Sequence, residues 1–305
     1  MRHMIPSFEF RRRAREAMKP VLSVLLLVTL IAMLPSLISQ TITLIAGSDP
    51  SAAMTELYTE ERITAMMSED AEISAAAAQE ILDGVNGFFT QKWPFITLTS
   101  AITLIFGPVL LLGYNHTLLK TLRREEITVT TVLARLPLFF KAIGLNLMVA
   151  LRLLLWMLPG AALSLLGAFV LLFEPVVGVL LMVAAMVVMF VLMIRKMYSY
   201  RLATYVLADV PESGINAAIR RSTEVMKGRR MELFGLELSF IGWRLVLSIG
   251  QTLLLGLFGN VLGLTLGMFA SFVLQMYVYM AEAAFYQEYA IGPVSFPETG
   301  TDDLN

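Results

Sequence analysis

Six runs of twenty or more predominantly apolar residues alternate with polar segments along the 305-residue chain. They cover 20–46, 93–119, 137–158, 175–194, 233–255 and 261–286. About 20 apolar residues in a helix span the roughly 30 Å hydrocarbon core of a bilayer. A helix satisfies its own backbone there, which an isolated strand or loop does not. The pattern therefore predicts an all-α, polytopic membrane helix bundle with six transmembrane spans. A further apolar stretch, Ala161–Phe173, has only 13 residues and follows Pro159-Gly160, so it reads as a helix extension or re-entrant turn. The first run is 27 residues long. A cleavable signal core has about 7–15, so this run reads as a retained span, with cleavage near Ala46 as the alternative.

The polar segments have patterns of their own. Segment 47–92 is Ala-rich and carries nine acids. Ser68, Glu69 and Asp70 make a helix start, after which Ile73, Ala77 and Ile81 share a face. One or two helices over the outer mouth of the bundle are expected. In segment 212–232, Ile215, Ile219 and Met226 face one way, with Arg220, Arg221, Lys227, Arg229 and Arg230 around them. That is the pattern of an amphipathic interfacial helix whose basic residues contact anionic lipid headgroups. Phe8 and Phe10, ahead of an Arg run, suggest the same for the N-terminus. The tail 291–305 reads as disordered, leaving one membrane domain over 1–290.

Charge orients the bundle. Only 15% of the residues are charged and 57% are hydrophobic, against about a quarter and about half in soluble domains. The net charge of −1 points to no nucleic-acid partner, but the distribution is lopsided. Of 23 Lys and Arg, nineteen fall in segment 1–19, in the gap after residue 119 together with Lys141, and in 195–232. Only Arg62 and Lys92 fall in the alternate gaps, while Arg152 and Arg244 lie within spans. The excess of Lys and Arg in cytoplasmic loops then places both termini in the cytoplasm.

Enzyme motifs are missing. There is no Cys, hence no disulfide, thiolate ligand or thiol nucleophile. His3 and His116 stand apart without a carboxylate at metal-ligand spacing, so no metal, cofactor or catalytic residue is assigned. Charges inside the membrane are costlier, about 2.5–3.5 kcal/mol each at a helix centre. Glu237 and Arg244 sit seven residues apart on one face of the fifth run, and Glu282 lies at similar depth on the sixth. They form either a polar path for a substrate or proton, or a structural ion network. Arg152 is expected to reach outward toward Glu174. Gly259, Gly263, Gly267 and Ser271 make a small-residue face on the sixth run. It serves either a homodimer seam or a contact with the fifth run.

YRLATYVLADVPE (Tyr200–Glu212) and MKGRRMELFGLELSFIGW (Met226–Trp243) resemble a bacterial family of integral membrane proteins known as domain of unknown function 975. RRRAREAMK (Arg11–Lys19) is similar to that family's start and AEAAFYQE (Ala281–Glu288) to its end. The stretch Gly256–Gly267 departs from the family's pattern, lacking the expected Trp-containing turn with Pro-Tyr. The resemblance implies six spans in a bacterial cytoplasmic membrane and no established activity. Two functions stay open. One is a non-enzymatic scaffold, assembly or regulatory factor, with anionic lipid and a second copy or another membrane protein as partners. The other is a transporter or lipid-handling permease using the Glu/Arg cluster. No clear internal repeat of the kind common in transporters is visible.

Overall fold

Pro35, Pro94, Pro108 and Pro159 all sit inside helices rather than ending them. The structure, a computed structural model, describes residues 5–292 except Glu69, without the side chains of 259–262 and 264. The tail expected to be disordered, from 293 on, lies outside the described residues. Every regular element among the described residues is helical. Six helices are long and apolar enough to cross a membrane. Large apolar side chains such as Val179, Leu180, Val183, Val187 and Phe190 stand exposed, which a soluble monomer does not sustain over so wide an area.

The helices are α1 (Ser7–Met18), α2 (Leu22–Ala46), α3 (Pro50–Leu57), α4 (Glu60–Met66), α5 (Ala71–Leu122), α6 (Phe139–Leu171), α7 (Pro175–Tyr200), α8 (Ala203–Asp209), α9 (Ile215–Val225), α10 (Arg230–Leu238) and α11 (Ile241–Tyr286). A 3-10 segment, Val129–Leu138, precedes α6, and a π turn, Gln287–Ile291, follows α11. Packing divides the chain into two compact units: Met1–Ala32 with Val109–Asn305, and Met33–Pro108.

The smaller unit contains the acidic segment. Gly47, at φ +56°, closes α2 with Ser48 N–H donating to Thr43 O at 3.0 Å. This is a Schellman end, which a glycine adopts without steric cost. The ammonium of Lys92 donates to Ala46 O at 2.7 Å, covering a second terminal carbonyl. Asp49 caps α3 through Ser51, and those Ser51 bonds hold its carboxyl below the ordinary range. The cap is thus intact at neutral pH and is lost only as pH falls through that lowered value. Arg62 pairs with Glu80 at 2.6 Å. Ala77 and Ile81 are buried, whereas Ile73, expected on the same face, is exposed. The acidic segment forms α3, α4 and the first turns of α5, which runs without interruption through Pro94.

In the larger unit, α6 and α7 form an antiparallel hairpin whose register is fixed by glycines. A methyl group on Gly160 would meet Met189, one on Gly167 would meet Met182, and one on Gly178 would meet the Leu171 backbone, all at 2.4–2.8 Å. Each pair is symmetric about the junction of Glu174 and Pro175, where α7 begins. Continued eight residues, this register sets Arg152 level with Met197. Trp156 accordingly takes Lys196 over its ring at 3.7 Å, and Arg152 donates to Asn216 at 2.9 Å. The stretch after Pro159-Gly160 extends the helix, one of the two readings open for it, as α6 runs to Leu171. One expectation is corrected: Arg152 lies at the Asn216 end of the hairpin rather than reaching for Glu174. The misplacement came from ending the span at Leu158, whereas α6 continues through Pro159 to Leu171. Between packed helices a proline is accommodated, and Gly160 is there for close contact with Met189.

Helical geometry continues through α11, yet the chain reverses within it. A Cβ on Gly263 would lie 2.8 Å from Leu254 O, and one on Gly267 would lie 2.8 Å from Gln251 Cγ. The fifth and sixth runs are thus antiparallel neighbours turning near residue 259.

The hydrophobic core gathers at the Lys- and Arg-rich ends of these helices. It joins Phe10 of α1, Leu25 of α2, Leu118 of α5, Leu145 of α6, Ile219 of α9 and Phe285 of α11. The short helices α8, α9 and α10 are built into it through Leu207, Val225 and Leu236. The basic segment therefore does not lay its apolar face on lipid: Ile219 and Met226 are fully buried against protein. An amphipathic pattern shows that one face leaves water, not what covers it.

Candidate functional site

The C-terminal end of α11 is where the polar contacts of the larger unit converge. Glu282 is 1% exposed and accepts from Arg201 at 2.7 Å. Arg201 also lies 3.5 Å from Glu237 of α10, and Glu237 accepts from the hydroxyl of Tyr198. Three more tyrosines gather at the same place. Tyr205 O–H donates to Tyr279 O at 3.1 Å, and the Tyr279 ring stands edge-on to that of Tyr114. The Tyr114 hydroxyl in turn accepts from Thr29. A buried carboxylate needs its cation and hydrogen bonds in place to exist as an anion. Arg201 supplies both, being held where α7 passes into α8.

Successive residues of this end reach different elements. Gln287 accepts from Arg123 at 3.0 Å, and Arg123 pairs with Asp209 at 2.7 Å. Tyr286 donates to the same Asp209, and Glu288 pairs with Arg13 of α1 at 2.6 Å. Tyr289 donates to Glu232 and lies under the guanidinium of Arg229. Arg221 reaches Ala290 O at 3.1 Å. A π turn widens the backbone over 287–291, fanning these side chains out in several directions. RRRAREAMK, YRLATYVLADVPE, MKGRRMELFGLELSFIGW and AEAAFYQE, four stretches scattered along the sequence, meet here.

Of the predicted cluster, the structure brings Glu237 and Glu282 to one cation, but that cation is Arg201. Arg244 is exposed and has no carboxylate within 4.0 Å among the described residues. The helix breaks at Ser239-Phe240, so the seven-residue spacing between Glu237 and Arg244 does not put them on one face. Arg201 went unrecognised because it was counted among loop charges. Its position directly after the tyrosine-rich end of α7 was the available signal.

The other predicted residues are placed as follows. Gly263 and Gly267 pack against the fifth run, Ser271 is exposed, and the surroundings of Gly259 lie outside the described residues. Arg220 is 79% exposed beside Glu224, and Lys227 is exposed. Arg221 and Arg229 are engaged by the C-terminal turn, and Arg230 is half-buried. His116 shares a 3.1 Å hydrogen bond with Arg135, and His3 lies outside the described residues. No group of three His, Cys, Asp or Glu suited to a metal ion occurs among the described residues.

No curated protein and no solved structure matches the chain. A family model described as "Protein of unknown function (DUF975)" matches residues 4–290, so the chain belongs to that family.

Proposed function

We propose that the chain is a non-enzymatic scaffold, assembly or regulatory factor of the bacterial cytoplasmic membrane. Both termini are cytoplasmic, and α1, α8, α9 and α10 form a platform at the inner surface. Arg220 and Lys227 face anionic headgroups, and a second copy or another membrane protein is the protein partner. Nucleic acid is not among its ligands. The observation that carries this reading is the pairing within the intramembrane charge cluster: its most buried carboxylate, Glu282, is 1% exposed and already has a cation, Arg201, at 2.7 Å. A transport path requires such a group to exchange partners with water or substrate. The skewed charge distribution supports the orientation.

Purified protein in liposomes is expected to give no proton or solute flux above protein-free vesicles under an imposed pH gradient and membrane potential. A flux that disappears in Glu282→Gln would overturn this reading in favour of a permease.

A further inference from the structure

α1 carries two kinds of arginine. Arg12 lies 2.8 Å from Glu9 and 4.0 Å from Glu16, and Arg13 pairs with Glu288. Arg11 and Arg15 have no carboxylate within 4.0 Å among the described residues. The Nε of Arg11 is buried without a hydrogen-bond partner among the described residues. Four residues apart, these two share one face of α1. That face borders a groove of about 660 Å³ between α1, the start of α2 and the α11 hairpin. Its wall is apolar: Leu22, Trp243, Leu247, Ala270, Val273 and Leu274.

A cation pair lining an otherwise apolar trough is the complement of an anionic amphiphile. Guanidinium groups bind phosphate by charge-assisted hydrogen bonds, and neither Arg11 nor Arg15 spends its charge on a carboxylate among the described residues. The Arg run ends where the first apolar run begins, which is headgroup level, and Trp243 belongs to the residue type enriched at that boundary. We infer that this groove is a binding site for one anionic phospholipid. Its headgroup phosphate sits between Arg11 and Arg15, and an acyl chain lies along Trp243, Leu247 and Val273. The assignment goes beyond the scaffold reading and is independent of which side of the membrane is cytoplasmic.

Trp243 reports on the site once Trp93→Phe and Trp156→Tyr leave it as the sole tryptophan. The protein is placed in nanodiscs of phosphatidylcholine containing a small fraction of either phosphatidylglycerol or phosphatidylcholine with brominated acyl chains. Brominated phosphatidylglycerol is expected to quench Trp243 severalfold more than brominated phosphatidylcholine. Arg11→Gln with Arg15→Gln should bring the two to the same level without lowering the melting temperature. Ala270→Phe, which fills the groove and keeps both arginines, should do the same. In the wild-type chain, native mass spectrometry should show one retained phosphatidylglycerol that the double variant lacks. Equal quenching by the two lipids, quenching unaffected by the double variant, or displacement by excess inorganic phosphate would each overturn the site.

Discussion

Arg201→Leu is expected to lower the stability of the detergent-solubilised protein by about 3 kcal/mol. Removing one member of a buried ion pair costs about 3–5 kcal/mol, because the survivor is left without compensation. The survivor is Glu282, 1% exposed, with Glu237 losing its cation as well. The Arg201 side chain is itself 37% exposed, so the lower end of that range applies. Adding Glu282→Leu and Glu237→Gln to Arg201→Leu should recover most of the loss. No unpaired charge remains in the triple variant, and a glutamine still accepts from Tyr198. Arg244→Leu should melt within a degree or two of wild type, since it removes no ion pair. Thermal unfolding of the four proteins decides the matter. A single Arg201 variant as stable as wild type would mean that water reaches Glu282 and that the network is open.

Gly113→Ala should be comparably damaging, at about 3 kcal/mol, by a steric route. A Cβ at that position would lie 1.7 Å from the carbonyl oxygen of Val132. Both residues belong to the buried end of the larger unit, where Leu112 and Tyr114 are fully enclosed and Val132 is 1% exposed. Overpacking typically costs about 1–3 kcal/mol. The upper end is expected because the obstacle is backbone, and moving it displaces the whole 3-10 segment. Gly250→Ala is the control. It lies in a helix with nothing within 4 Å of the new methyl group, so it should be neutral or stabilising by up to about 1 kcal/mol. Equal melting of the two variants would contradict the packing described for Gly113.

Much of the fold is legible in the sequence, for physical reasons that also locate the errors. Lipid leaves the backbone little choice but helix, so run length and composition read out six helices long and apolar enough to cross a membrane. The similar depth of Glu237 and Glu282 was likewise legible, because a short reversal between two runs fixes their register. Arg201 was not. A cation near a span end looks identical in sequence whether it orients the chain or neutralises a carboxylate on another helix. Arg152 was misplaced because Pro159 breaks helices in water far more readily than between packed helices. The apolar face of the basic segment was assigned to lipid because its amphipathic pattern is the same for a face buried in protein. The convergence on residues 282–290 is a property of tertiary packing, and only the shared tyrosine and acidic character of AEAAFYQE hinted at it.

The account rests on the packed, basic end of the molecule being cytoplasmic. The chain contains no cysteine, so single substitutions report without background. Glu60→Cys in the acidic segment and Lys227→Cys in the basic segment are both at exposed positions. With an impermeant thiol reagent on intact cells, position 60 should label and position 227 should label only after the membrane is opened. Labelling of position 227 but not 60 in intact cells would invert the molecule and contradict the account.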